Sequence, residues 1–135
     1  MTRRYFWWLV VVAVAAWLLW MTLRPQAQVT ADLTVITIPA AAQGISIPFL
    51  IGFLGNIVVF VPLGAAAALA LADKPRETRL LTATAVGAGL SAAIELLQST
   101  LPSRFADLND WLLNTAGTFI GAVIANVLVS ILSTD

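Results

Sequence analysis

Apolar residues fall into long runs separated by polar links: Phe6–Leu23, Ile47–Ala72, Leu80–Gln98 and Trp111–Leu132. Crossing the hydrocarbon layer takes about 20 residues of helix, so the pattern predicts an all-α membrane protein with a four-transmembrane-helix bundle. The links between the runs are Arg24–Ser46, Asp73–Arg79 and Leu101–Asp110. In the first link, the β-branched stretch from Val29 to Thr37 favours a short strand or a surface loop, and Pro39 and Gly44 end it. Pro48 suits the first turn of the second helix, where its missing N–H costs little. Pro62 predicts a kink that frees the carbonyl of Val58. Pro102 bars continuation of the third helix.

Polar and small residues inside these runs stand out. Asn56 in the second run should turn inward, either to bond a neighbouring helix or to touch a ligand. Gly87, Gly89 and Ser91 offer a narrow face on the third helix, and Gly117 and Gly121 form a GxxxG pair on the fourth; both point to close helix packing. Ser91, Glu95 and Gln98 share one helical face through three- and four-residue spacings. Asp107 and Asp110 have the spacing of a helix cap at the start of the fourth helix. With Asn114 they form an edge directed at Glu95, Gln98 and Arg104. Arg104 is suited to neutralise a carboxylate or to hold a phosphate or carboxylate through two parallel bonds.

Composition agrees with the membrane reading. The chain is 60 % hydrophobic and 10 % charged, with a mean hydropathy of +0.93, and four spans leave little of its 135 residues for a soluble domain, so one compact unit is expected. Seven basic residues balance seven acidic ones, so no basic field marks a nucleic-acid partner. The absence of cysteine and histidine excludes disulfides, thiolate or imidazole metal sites, a cysteine nucleophile and a Ser-His-Asp triad. No cofactor and no metal site is expected.

Arg3 and Arg4 precede Phe6 as in an export signal, but the run that follows is long, rich in tryptophan and without a small-residue cleavage site. Trp7, Trp8, Trp17 and Trp20 lie toward its two ends, as interfacial anchors do. Arg3, Arg4, Lys74, Arg76 and Arg79 fall on one side of the bundle, and only Arg24 and Arg104 on the other. The positive-inside rule therefore predicts both termini in the cytoplasm and the Leu101–Asp110 link outside. On that topology Glu95 sits about 4–5 Å below the helix end at Gln98, using 1.5 Å per residue, near the outer interface.

The polar cluster admits three readings. It is a structural staple, with acids satisfied by Arg104 and Asn114. It is a binding site for a membrane lipid or lipidated amphiphile. Or it is a catalytic site, in which clustered carboxylates hold a hard cation at a lipid phosphate or act as acid and base.

In order along the chain, Asn56, Phe60, Pro62 and Gly64 (NxxxFxPxG), then Ser91, Ile94, Glu95 and Gln98, then Arg104, Asp107, Asp110, Asn114, Gly117 and Gly121 resemble the VanZ-like family of bacterial membrane proteins. These motifs run from Asn56 to the C-terminal part, with the first helix and the first link outside them. The resemblance implies a small multispanning protein of the cell membrane, related to one that confers low-level resistance to teicoplanin, a lipid-tailed glycopeptide. It also marks Asn56, Pro62, Glu95, Gln98, Arg104, Asp107, Asp110 and Asn114 as motif positions. The expected role is binding of a lipid-like or glycolipid-like envelope amphiphile, with action on a lipid head group or a purely structural bundle as alternatives.

Overall fold

The computed structural model describes residues 2–24, 47–101 and 107–132. They form four helices, α1 (Thr2–Thr22), α2 (Ile47–Ala70), α3 (Arg76–Ser99) and α4 (Leu108–Leu132), each long and apolar enough to cross a membrane. The Val29–Thr37 stretch, expected as strand or loop, lies outside the described residues, as do Pro102 and Arg104.

Helix ends differ from the apolar runs because turn chemistry sets them. Pro75, with φ −53° and ψ 147°, presets the entry to α3, and the Arg79 N–H closes the first turn on the Pro75 carbonyl at 3.0 Å. The helix therefore starts at Arg76 rather than Leu80, with charged residues in its first, exposed turn. Conversely α2 stops at Ala70 instead of Ala72. Its end tightens into bonds from Leu71 to Ala68, Ala72 to Leu69 and Lys74 to Leu71, which satisfy carbonyls the helix would leave open. The helix is continuous through Pro62, whose side chain is exposed.

The largest interface joins α2 and α4. An added Cβ at Gly117 would fall on the carbonyl of Ile57, and one at Gly121 on the carbonyl of Val61. Both chains advance by four residues between these contacts, so the two helices run parallel with their backbones nearly touching. Gly64 packs in the same way on the backbone of Thr118. Such contact lets van der Waals attraction hold helices together where lipid removes the hydrophobic drive.

Thr118 is fully buried where three helices meet, since its side chain also occupies the space beside Gly87 of α3. The expected narrow face of α3 is corrected in one place. Gly87 and Ser91 point inward, four residues apart, but Gly89 has open space around its Cα, because two residues turn a helix by roughly 200°. The core gathers Phe60, Leu63 and Ala67 of α2 with Leu18 of α1, Ile94 of α3 and Ala122 of α4. α1 leans on α2 and barely reaches α3.

Outside this core the surface is oily: Leu81 is 73 % exposed, and Leu9 and Leu108 are each 69 % exposed. Water would penalise large apolar side chains displayed around every helix. In lipid they are at home, and the protein is a multi-pass membrane protein.

Candidate functional site

One end of the bundle, where α1 and α3 finish and α4 begins, gathers most of the polar side chains that the runs contain. Glu95, on the inward face of α3, is only 7 % exposed. Its Oε2 accepts the backbone N–H of Asp107 at 2.7 Å. Asp107 in turn accepts the N–H of Asn109 at 2.8 Å through Oδ1, and its carbonyl receives the first helical bond, from Trp111 at 3.2 Å. Asp107 is therefore the N-cap of α4. In a local capping box the residue three positions on returns to the cap's own N–H. Here Glu95 of another helix takes that N–H, and Asp110 is released for a different partner.

That partner is Asn56, whose Nδ2 donates to Asp110 Oδ1 at 2.6 Å. A half-buried amide on α2 thus reaches across the glycine seam to the first turn of α4. One turn deeper, Asn114 is 5 % exposed and donates from Nδ2 to Ser91 Oγ at 2.9 Å. Its backbone carbonyl accepts the Thr118 hydroxyl at 2.9 Å. Its Oδ1 is buried without a hydrogen-bond partner among the described residues.

Gln98 does not join the acids. Its Nε2 donates to the carbonyl of Thr22 at 3.0 Å, closing one of the open carbonyls at the end of α1. The predicted common face of Ser91, Glu95 and Gln98 therefore serves two neighbours: Ser91 and Glu95 meet α4, while Gln98 meets α1.

Two further polar anchors carry weight that their sequence positions understate. Trp111, expected only as the start of a span, donates from its indole N–H to the carbonyl of Ala88 at 3.0 Å, tying α4 to α3. Asn126 is 3 % exposed in the far half of α4, donating to the Ala122 carbonyl at 2.7 Å with its Oδ1 unpartnered among the described residues. The signal that singled out Asn56, an amide inside an apolar run, applies equally to Asn126.

Among the described residues the charges of this cluster are all negative. Asp110 lies close enough to Asp107 and Glu95 for their charges to act on it, and among the described residues no Lys or Arg forms an ion pair with any of the three. No group of three or more acidic side chains is arranged to hold a metal ion among these residues.

A family model described as VanZ/LLP1 matches residues 6–129. The chain belongs to this family. The VanZ/LLP1 match is longer than the motifs, since it takes in α1 and the first link as well, so these segments are part of the family framework rather than additions to it. Searches among curated proteins and among solved structures find no match. Of the positions that the resemblance marked, Asn56, Glu95, Asp107, Asp110 and Asn114 come together at the α2–α4 seam and the capped start of α4, whereas Gln98 meets α1 and Pro62 is exposed.

Proposed function

We propose that this protein binds the polar head of a lipid-like or glycolipid-like envelope amphiphile at its acid-rich end, with the bundle in the bacterial cytoplasmic membrane and both termini inside. Glycopeptide resistance of the teicoplanin type is one outcome such binding would have. The observation that carries this reading is the surplus of acceptors. Glu95 and Asp110 each use one carboxylate oxygen to join helices and Asp107 uses one to cap α4, and the second oxygen of each has no hydrogen-bond partner among the described residues.

A staple alone has no need of three neighbouring negative charges, because neutral amides would accept the same bonds without mutual repulsion. Acceptors in excess suit a head group rich in hydroxyl or amino donors, with Arg104 supplying the site's cation. The bonds that cross between helices do favour the structural reading of those same oxygens, so the two roles must be separated by charge rather than by shape.

Glu95→Gln does this, since the amide oxygen still accepts from Asp107 while the charge is lost. With teicoplanin and native envelope lipids as probes, saturable retention should fall in Glu95→Gln and in Arg104→Ala at unchanged folded yield. It should withstand EDTA and leave the probe's mass unchanged. Metal-dependent conversion of a lipid to a product of different mass would instead make the protein an enzyme. Unchanged retention with lost stability would leave the cluster as a staple.

A further inference from the structure

We propose that the cleft at the opposite end of the bundle, between the start of α1 and the end of α2, binds the head group of an anionic phospholipid. This site is separate from the acid-rich cluster and holds whichever way the bundle faces. The cleft encloses about 340 Å³ and is walled by Arg3, Arg4, Trp7, Leu69, Ala70 and Asp73, among others. A volume of that size is in the range of small-molecule sites.

Position argues for lipid. The apolar stretch of α1 begins at Arg3 and that of α2 ends at Ala70, so the cleft lies at the level where phospholipid phosphates reside. Arg3 and Trp7 are four residues apart and share a helical face, which sets the guanidinium at the phosphate level and the indole one turn deeper, where Trp rings prefer the glycerol region. Leu69 and Ala70 make the inner wall apolar. A free anion would leave that wall uncovered; a lipid covers it.

Charge argues for an anionic head. Asp73 lies 3.6 Å from Arg4 and 3.7 Å from Lys74, so one carboxylate is shared by two cations. Among the described residues Arg3 has no ion-pair partner. Two arginines against one shared aspartate leave the cleft positive, and guanidinium forks match phosphate oxygens. A zwitterionic head brings its own cation into competition with them.

The test uses the full chain in vesicles of equal parts phosphatidylglycerol and phosphatidylcholine, followed by gentle detergent extraction and mass measurement of the lipid retained per protein. Phosphatidylglycerol should be retained in preference. Arg3→Ala and Arg4→Ala should each lower its apparent affinity about tenfold, the lower end for losing a hydrogen bond to a charged group. Asp73→Asn should raise retention, and Arg76→Ala, which alters a basic residue outside the cleft wall, should leave it unchanged. Arg3→Lys and Arg4→Lys, which keep charge and fold, should fall between wild type and the alanine variants. Equal retention of the two lipids, or an equal loss in Arg76→Ala, would overturn the proposal in favour of a general surface field. Displacement by inorganic phosphate would overturn it in favour of a free-anion site.

Discussion

At one end of the bundle, Glu95 and Asp110 are drawn in among helices and hydrogen-bonded to partners 12 and 54 residues away in sequence. At the other end Asp73 stands half-exposed between Arg4 and Lys74, beside its own helix end. Both ends carry acids, but the medium around them differs. Half-exposed ion pairs are screened and contribute about 0–1 kcal/mol, whereas a carboxylate withdrawn from water must be hydrogen-bonded to be tolerated at all. The acid-rich end therefore specifies how helices meet, whereas the ion pairs of the basic end contribute little to that packing.

The largest expected effect is all-or-none and concerns the sides the two ends face. Single cysteines introduced into this cysteine-free chain at Thr100 and at Thr78, both exposed, should react with an impermeant thiol reagent from opposite sides of intact cells, Thr100→Cys from outside. Labelling of both from one side would remove the distinction between the ends.

Next is the seam that holds the acid-rich end together. In Gly117→Val the new side chain falls on the backbone of Ile57, next to Asn56, and neither backbone can yield. Overpacking costs about 1–3 kcal/mol where side chains can shift, and a clash with backbone at Ile57 exceeds that range, so most folded protein should be lost in detergent size-exclusion profiles. Ala72→Val, at an exposed position of the basic end, should leave the profile unchanged.

A smaller loss is expected for Asn56→Leu. It removes the donor to Asp110, and hydrogen bonds to charged groups contribute about 1.5–3 kcal/mol; the melting temperature in detergent should drop accordingly. Asn56→Gln recovering full stability would show that the 2.6 Å bond is less demanding than its geometry implies.

The smallest effect belongs to Asp73→Asn, within about 1 kcal/mol. Its contribution should vanish in high salt, where exposed charges are screened, while the cost of Asn56→Leu should persist. Equal salt sensitivity at the two ends would mean that the acid-rich end is as open to water as the basic one.

The four spans were legible because an apolar run of sufficient length has no other stable place, and the family was legible from motif order. Helix periodicity also identified the inward face of Ser91 and Glu95, and the Asp107–Asp110 spacing marked a cap. What a single helix cannot encode is its rotation and height relative to the others. Those are set by all packing contacts together, here by Gly117 and Gly121 closing on Ile57 and Val61. Once that register is fixed, the Asp107 N–H lies within reach of Glu95 and Asp110 meets Asn56. Gln98 turns to Thr22 although it shares a face with Glu95, and Gly89 is left outside. Local spacing thus determined which side chains must find partners inside the membrane, and the tertiary structure decided the partners, because a hydrogen bond between helices depends on ångström-scale placement that no one segment controls.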